Sequence, residues 1–194
     1  MRINRYLNKG YRSTAAMILV QAFKSKLLGI LGTEEQLYEV ILKSIDAKHI
    51  VVARSSEGEL IGVAAYQYNG KFTLDITLST MIEVYGFWRG IQKMFMLFTH
   101  FPTKRDISTL YVDALAVDNR FRGQGVGQLL LKEIEKIAIE ENLSFVSLDV
   151  VKENTRAKEL YEKVGFVEVK YEELDTKSSD RLGFSGYYYM MKLV

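Results

Sequence analysis

Residues 110–166 read LYVDALAVDNRFRGQGVGQLLLKEIEKIAIEENLSFVSLDVVKENTRAKELYEKVGF. A β-branched run ends at Val117, a basic and glycine-rich loop follows, and an amphipathic helix starts at about Gly125. Glycines at alternate positions let the backbone approach a ligand closely, and the N–H groups of a helix's first turn, together with its dipole, favour phosphate oxygens. The pattern therefore predicts an anion-binding loop between a strand and a helix.

The composition predicts one globular domain. The chain has 194 residues, of which 48% are hydrophobic and 26% are charged, and a chain of this size buries enough apolar surface to fold without a covalent staple. The net charge is only +2, and no block of lysine and arginine is dense enough to indicate a nucleic-acid surface. We therefore expect neither a disordered protein nor a nucleic-acid partner.

Cysteine and histidine usage excludes several kinds of chemistry. The sequence has no cysteine, so disulfides, thiolate metal sites and a cysteine nucleophile are all ruled out. Its two histidines, His49 and His100, lie far apart in sequence, so no metal site is expected. The lack of cysteine fits a reducing compartment, the N-terminal segment has no apolar signal region, and the apolar stretch 81–101 is interrupted by charges. These features predict a cytoplasmic protein with no membrane partner.

The first half of the chain predicts a short strand, two helices and an antiparallel meander. Residues 2–7 have strand character, and residues 11–28 repeat their apolar side chains at helical spacing. A glycine turn leads to a second helix, for which Thr33 and Gln36 are placed as a capping box. Three runs separated by turn sequences then predict antiparallel strands: HIVVARS, LIGVAAYQY and KFTLDITL.

From residue 110 onward, strand and helix alternate. The pattern predicts strand 110–117, helix 125–141, strand 144–151, helix 154–164 and then two strands, 166–174 and 186–194. A strand, helix, strand crossover joins parallel neighbours, so the first two of these strands should be parallel. The whole pattern predicts a single α+β domain over residues 1–194. Its mixed sheet of about seven strands has an antiparallel N-terminal meander, a parallel central pair, a C-terminal hairpin and helices on both faces.

Residues 79–103 do not fit this simple scheme, because aromatic and methionine side chains crowd one helical segment that should end near Pro102. Three interpretations are open. The segment forms a buried core helix, the wall of a substrate pocket, or a contact between two copies of the chain.

The glycine-rich loop resembles the R/Q-x-x-G-x-G/A signature of the GNAT superfamily of acyl-CoA N-acyltransferases, and it lies between a strand and a helix as in that family. The resemblance implies that acetyl-CoA is the co-substrate and that backbone amides of the loop hold its pyrophosphate, with added charge from Arg120 or Arg122. The matching residues are Arg122, Gly123, Gln124, Gly125, Val126 and Gly127.

Other phosphate-binding motifs fit less well. A Walker A loop is absent from the sequence. The dinucleotide fingerprint G-x-G-x-x-G matches at Gly123 and Gly125 but meets a glutamine at position 128, although Asp149 falls near the position of its ribose-binding acid. A dinucleotide-binding domain therefore stays open as a lesser alternative.

A second motif follows one strand later. Asn154, Ala157, Leu160, Tyr161, Gly165 and Phe166 match the N-x-x-A-x-x-x-Y-x-x-x-G-F pattern that GNAT proteins show there. Asn154 also suits a helix N-cap, and Gly165 suits the position that follows a helix. Asn154 and Tyr161 are two helical turns apart and share a face. The resemblance implies that one of them contacts the pantetheine arm and the other the thiol.

The resemblance also implies a mechanism of direct acetyl transfer in a ternary complex. Backbone groups of Leu115, Ala116 and Val117 would hold the pantetheine arm, and an amide near Leu115 would polarise the thioester carbonyl. Tyr161 would act as general acid, with a modest benefit because a phenol near pKa 10 protonates a thiolate near pKa 8.5 only against a small gradient. Asp113 is the first candidate base, since strand alternation places it on the same face as Leu115. A charged side chain at a solvent-exposed strand position is an equally good interpretation of Asp113. Glu83 is the reserve.

The two motifs cover residues 110–170, so acceptor specificity is expected mainly in residues 1–105. The resemblance implies that the acceptor is a small-molecule or peptide amine, and a homodimer through an exposed aromatic surface is also open. A function from another class also remains: a sensor module that binds acyl-CoA and transfers nothing.

Overall fold

A mixed β-sheet of eight strands forms the centre of the computed structural model, which describes residues 1–100 and 108–194. The strands are β1 (Arg2–Asn4), β2 (Ile50–Arg54), β3 (Leu60–Tyr68), β4 (Lys71–Phe72), β5 (Thr109–Val117), β6 (Phe145–Val151), β7 (Val167–Glu173) and β8 (Gly186–Leu193). The helices are α1 (Arg12–Leu31), α2 (Glu34–Ser44), α3 (Leu78–Tyr85), α4 (Phe87–His100), α5 (Val126–Glu140), α6 (Thr155–Lys163) and α7 (Thr176–Leu182).

The strand order is β1-β2-β3-β5-β6-β8-β7, with β4 paired to β3 beside this path. Only β5 and β6 pair in parallel within the described sheet, and all other neighbours are antiparallel. The predicted α+β class, parallel central pair and C-terminal hairpin are therefore confirmed. Two details differ from the prediction: only Lys71–Phe72 of the expected strand KFTLDITL form a strand, and helix α7 was not predicted.

Each face of the sheet carries its own hydrophobic core. The α5-side core lies on one face, where α5 buries the predicted stripe of Val126, Leu130, Ile134 and Ile137. The α1-side core lies on the opposite face, where the N-terminal helices contribute Leu19 and Ile41 among other fully buried side chains. The capping box of α2 is present, since Thr33 and Gln36 exchange side-chain and backbone hydrogen bonds.

The parallel pair β5 and β6 separates before either strand ends. Residue pairing runs from Thr109–Phe145 to Val112–Leu148, whereas β5 continues to Val117 and β6 to Val151. Beyond Leu148 the two strands diverge, and the sheet is open between them. This divergence positions the candidate site.

A β-bulge interrupts the alternation of β5. Its pairing with β3 shifts between Val112 and Ala114, which leaves Asp113 as the extra residue. Val112 therefore packs in the α5-side core, while Ala114 packs in the α1-side core and Leu115 returns to the α5 side. The prediction that Asp113 shares a face with Leu115 is wrong, because the bulge reverses the alternation between them.

The aromatic segment forms two helices, α3 and α4, rather than one. Gly86 breaks the segment with φ +78°, a conformation that favours glycine. The helices then cross closely at Gly90, where a Cβ atom would lie 2.8 Å from backbone atoms of Ile82. The interpretation of a buried core helix is wrong for α4, since Trp88 is 80% exposed and Phe95 is 68% exposed. The expected end near Pro102 lies outside the described residues.

Candidate active-site cleft

A cleft of about 990 Å³ opens where β5 and β6 diverge. Its walls come from α1, the end of β5, the loop that follows, the start of α5, the end of β6 and α6. Apart from Gln124 and the reserve base Glu83, the residues that the sequence indicated for coenzyme binding or catalysis line this cleft. These residues are Asp113, Leu115, Ala116, Val117, Arg122, Gly123, Gly125, Val126, Gly127, Asn154 and Tyr161. The Gln124 side chain instead donates a hydrogen bond to the carbonyl of Arg120, at 3.3 Å.

The loop requires glycine for its backbone conformation. Gly123 and Gly125 have φ values of +80° and +81°, and a Cβ on either would meet nothing closer than 4.0 Å. Space for a side chain is therefore available, and the left-handed backbone is what disfavours one. Gly127 has a different reason, because its Cβ would lie 3.1 Å from Leu160, so it allows α5 to pack closely against α6.

A continuous run of backbone donors lies at this end of the cleft. The N–H groups of residues 123–128 donate to no acceptor within the described parts of the chain, and the first helical bond of α5 runs from Leu129 to the carbonyl of Gly125. Gly125 supplies no side-chain cap. Successive free N–H groups at a helix N-terminus form a concave anion site, with the positive end of the helix dipole behind it.

The positive side chains around this loop differ in availability. Arg120 is held by the carboxylates of Asp118 and Glu59, and its hydrogen bond lowers the pKa of Asp118. Arg122 donates from Nε to the carbonyl of Val117, at 3.1 Å, and pairs with no carboxylate of the described residues. Arg156 of α6 reaches over the loop, with its Nη2 atom 4.0 Å from the position that a Cβ of Gly123 would take. Arg122 and Arg156 are therefore the guanidinium groups available to an anion.

Arg156 was missed by the sequence reasoning. The only signal in the sequence was its place in the first turn of the helix that Asn154 caps. Helix spacing alone would have paired it with Glu159, and only the packing of α6 against α5 brings it over the loop.

The second motif has the structural roles expected of it. The Asn154 side chain accepts a hydrogen bond from the N–H of Ala157, at 3.3 Å, as an N-cap. At the other end of α6, Gly165 has φ +97°, and hydrogen bonds run from Gly165 to Glu162 and from Phe166 to Tyr161. These two bonds form a Schellman motif, which fixes the end of α6 and packs Phe166 against the ring of Tyr161.

Tyr161 is buried, with 8% of its surface exposed, yet it lines the cleft. Its hydroxyl makes no hydrogen bond to another described residue. Burial raises the pKa of Tyr161 to about 12, because the phenolate would lose its hydration. A phenol with this raised pKa protonates a thiolate near pKa 8.5 less readily than a phenol at its ordinary pKa of about 10 would.

Two carboxylates lie on the α1 side of the cleft. Asp113 accepts a hydrogen bond from Gln67 Nε2, at 2.5 Å, and Asp149 accepts one from the Tyr111 hydroxyl, at 2.6 Å. Asp149 lies between Leu148 and Val150, which point to the α5-side core, so it faces the other way. The sequence pattern indicated Asp149 only as the ribose-binding acid of a dinucleotide site, so its place in this cleft was not predicted.

Glu83, the reserve base, lies elsewhere. It is 62% exposed on α3 and forms an ion pair with Lys43, at 2.6 Å. It does not line the cleft. The pair is a surface contact between α2 and α3, and its hydrogen bond raises the pKa of Lys43.

Among the side chains that the structure describes, no three histidine or acidic groups converge in a way that could hold a metal ion. Within residues 1–100 and 108–194, no helix combines the length and the apolar character needed to cross a membrane.

Comparison with known proteins identifies relatives of this chain. The family model described as "Acetyltransferase (GNAT) family" matches residues 23–166. Thialysine N-epsilon-acetyltransferase of Bos taurus is 32% identical over 56 residues, which are 29% of this chain and 33% of that protein. The matched part therefore spans about a third of the length of this curated relative.

Solved structures share the fold. An N-acetyltransferase from Staphylococcus aureus Mu50 superposes with a TM-score of 0.68 at 17% identity, covering 99% of this chain and 100% of that one. A Bacillus anthracis structure assigned as a streptothricin acetyltransferase, in complex with acetyl coenzyme A, gives a TM-score of 0.51 at 20% identity over 75% of this chain and 61% of that one. At these identities the likeness concerns the fold alone.

The position of Arg156 generates a first prediction. Replacing it with glutamine should weaken the binding of coenzyme A roughly 3- to 10-fold at low salt, because one charge-assisted contact to phosphate is lost. The difference should shrink as salt screens the charge. Titration calorimetry measures both effects.

Lys132→Gln is the matched control, since Lys132 is an exposed cation of α5 outside the cleft. It should leave the affinity unchanged. Equal affinities for the parent and Arg156→Gln at low salt would show that Arg156 does not contact the ligand.

Proposed function

This chain belongs to the acetyltransferase (GNAT) family, and we propose that it transfers the acetyl group of acetyl-CoA directly to a primary amine. The observation that carries the proposal is the run of unpaired N–H groups at residues 123–128, at one end of the cleft between β5 and β6. Such a donor run suits a pyrophosphate, and an open strand edge beside it suits an extended, amide-containing arm. The sheet also excludes the dinucleotide alternative, which needs a parallel doubly wound sheet.

Coenzyme binding is assigned to the loop and the diverging strand. The pyrophosphate would accept hydrogen bonds from the N–H groups of residues 123–128, with Arg122 and Arg156 adding charge. Gln124 would contribute through its backbone, since its side chain bonds to Arg120. The pantetheine arm would lie along Leu115, Ala116 and Val117, which have no pairing partner on β6. Asn154 would donate from its side-chain amide, because only the oxygen of that amide is used in capping α6.

The acceptor amine is expected to arrive as an ammonium ion, and the two carboxylates on the α1 side suit that charge. Asp113 is the proposed base that takes a proton from the amine, and Asp149 the proposed group that holds the ammonium form. The neutral nitrogen then forms a bond to the thioester carbonyl carbon, and the second proton that the amide cannot keep passes from this nitrogen to solvent water. A backbone N–H near Leu115 stabilises the oxygen of the tetrahedral intermediate.

Collapse of the intermediate breaks the carbon–sulfur bond and expels the coenzyme A thiolate. Tyr161 is proposed to donate its O–H hydrogen bond to the departing sulfur. Because burial raises the pKa of Tyr161 to about 12, the phenol stays protonated throughout the neutral range and is better suited to hydrogen bonding than to complete proton transfer. The sequence has no cysteine to carry an acetyl group, in keeping with direct transfer.

Acceptor specificity is assigned mainly to residues 1–105, where Thr14, Met17 and Gln21 of α1 face the cleft. A small-molecule or peptide amine fits this wall. The bovine relative is named for acetylating an ε-amino group, which is the same class of acceptor. A cytoplasmic location is part of the proposal, in line with the absence of cysteine.

Release of free thiol tests the function directly. The protein is incubated with acetyl-CoA and a panel of primary amines, and free coenzyme A is measured with a thiol reagent. The proposal predicts release that depends on both the protein and an amine. Tight coenzyme A binding without release for any amine of the panel would instead support an acyl-CoA sensor.

Tyr161→Phe should lower kcat by about 10- to 100-fold, because the hydrogen bond to the departing sulfur is lost. The affinity for acetyl-CoA and the melting temperature should change little, since the hydroxyl bonds to no described residue. Steady-state kinetics and calorimetry measure the two effects. An unchanged kcat would remove Tyr161 from the mechanism.

The two carboxylates can be separated by their pH profiles. Asp113→Asn should flatten the acidic limb of kcat/KM, since the group that must lose a proton there is gone. Asp149→Asn should raise KM for the amine and leave the acidic limb of the kcat/KM profile unchanged. If the limb disappears in Asp149→Asn instead, the base is Asp149.

A further inference from the structure

Helix α4 presents an apolar face to solvent. Phe87 is 56% exposed, Trp88 80%, Ile91 38%, Phe95 68% and Phe98 55%. None of these side chains lines the cleft, so acetyl transfer gives no reason for their exposure. A contiguous apolar patch of this kind at a protein surface indicates a contact surface.

The helix cannot rotate to bury this face, because its opposite side is already engaged. Gly90 lies against the backbone of Ile82, where even a Cβ would not fit. Lys93 donates to the carbonyl of Ile30, at 2.6 Å, and lies over the Tyr85 ring, at 4.9 Å from its centroid. Burial lowers the pKa of Lys93, as expected for an ammonium group on the inner side. The aromatic face is therefore fixed outward.

The spacing of the exposed side chains indicates what covers them. Trp88, Ile91, Phe95 and Phe98 follow one another at intervals of three, four and three residues, which is the seam of a helix that packs against another helix. The pattern reads the same from both ends and is centred on residue 93. This spacing is compatible with a two-fold axis through an antiparallel helix pair at residue 93, because each apolar side chain then meets an apolar side chain of the identical helix.

The amount of exposed surface also fits a second copy. Taking about 200 Å² for a fully exposed aromatic side chain, the exposed fractions of the four aromatic residues correspond to roughly 500 Å² per subunit. Two such faces bury roughly 1,000 Å², at the lower end of specific interfaces. We expect a dimer that dissociates on dilution.

The charges of α4 suit the antiparallel direction. The helix carries no acidic residue, and Arg89 lies in its first turn, where the helix dipole disfavours a cation. In an antiparallel pair, Arg89 would lie beside the C-terminal turn of the other helix, where the negative end of the helix dipole favours a cation. A parallel pair would place two Arg89 side chains at the same end.

We propose that α4 forms an antiparallel, two-fold helix pair with α4 of a second copy of this chain. In this pair Trp88 packs against Phe98 of the partner subunit, and Ile91 packs against Phe95 of the partner subunit. The proposal does not depend on the catalytic assignment.

Sedimentation and fluorescence test the dimer. The parent protein should approach twice the chain mass of 22.3 kDa as its concentration rises. Trp88 is the single tryptophan, so its emission should move to shorter wavelength over the same range as the indole leaves water. Phe95→Glu should stay at the mass of one chain with unchanged circular dichroism, because the side chain contacts solvent. Val167→Glu, at a side chain of β7 that is 63% exposed, is the control and should dimerise as the parent does.

Three results would overturn the proposal: a parent protein that stays monomeric at every concentration, a Phe95→Glu variant that still dimerises, or a Val167→Glu variant that does not. A monomeric parent that sediments with vesicles of phosphatidylcholine and phosphatidylserine, while Phe95→Glu stays in solution, would show that a lipid surface covers α4 instead.

Engineered cysteines test the direction of the pair, since the natural chain has none. Ile91→Cys protein mixed with Phe95→Cys protein should oxidise mainly to the mixed disulfide, because positions 91 and 95 face each other across an antiparallel axis. Ile91→Cys cross-linking chiefly to itself would indicate a parallel pair and contradict the proposed arrangement.

Discussion

The pairing of β5 with β6 stops at Val112 and Leu148, and the candidate site depends on that stop. Continued pairing to Val117 would close the sheet and leave no cleft. The backbone groups that lack a strand partner are tolerated because they line an open space that water or a ligand can fill, whereas buried and unpaired they would cost about 1–3 kcal/mol each. The bulge at Asp113 lies at the same level of β5, so pairing changes on both edges of the strand at nearly one point.

Packing holds the loop that follows β5 in position. Gly62 leaves room for Val126 and Leu130 to approach β3, with Val126 only 3.0 Å from where a Cβ would be. Gly127 does the same for Leu160 of α6. The first turn of α5 is therefore fixed between the sheet and α6, and its N–H groups keep one direction without a ligand. This preorganisation reduces the entropic cost of binding an anion, because the loop is already ordered.

Much of this arrangement was predictable from the sequence, because it rests on local patterns. The apolar stripe of α5, the capping box at Thr33, the N-cap at Asn154 and the glycine after α6 are set by residues a few positions apart. The parallel β5 and β6 pair follows from the handedness of a strand, helix, strand unit. The two motifs then placed Tyr161 and the glycine loop in one cleft.

The features that the sequence did not predict are set by contacts between distant residues. The bulge places Asp113 on the face opposite to Leu115 because of the register between β3 and β5. No sequence pattern within β5 predicts that register. Arg156 reaches the loop only through the packing of α6. The outward face of α4 depends on Gly90 meeting α3, so the same aromatic residues suit a buried helix or an exposed one until that contact is known.

We propose that the backbone N–H groups of residues 123–128 bind the pyrophosphate of acetyl-CoA. Amide NMR of nitrogen-15-labelled protein tests this binding most directly, through the signals of Gly123, Gly125 and Gly127. Coenzyme A should shift these three signals and slow the exchange of their protons with water, whereas pantetheine, which lacks the phosphates, should leave them unchanged. Saturating coenzyme A that perturbs other amides and leaves these three where they were would contradict the account.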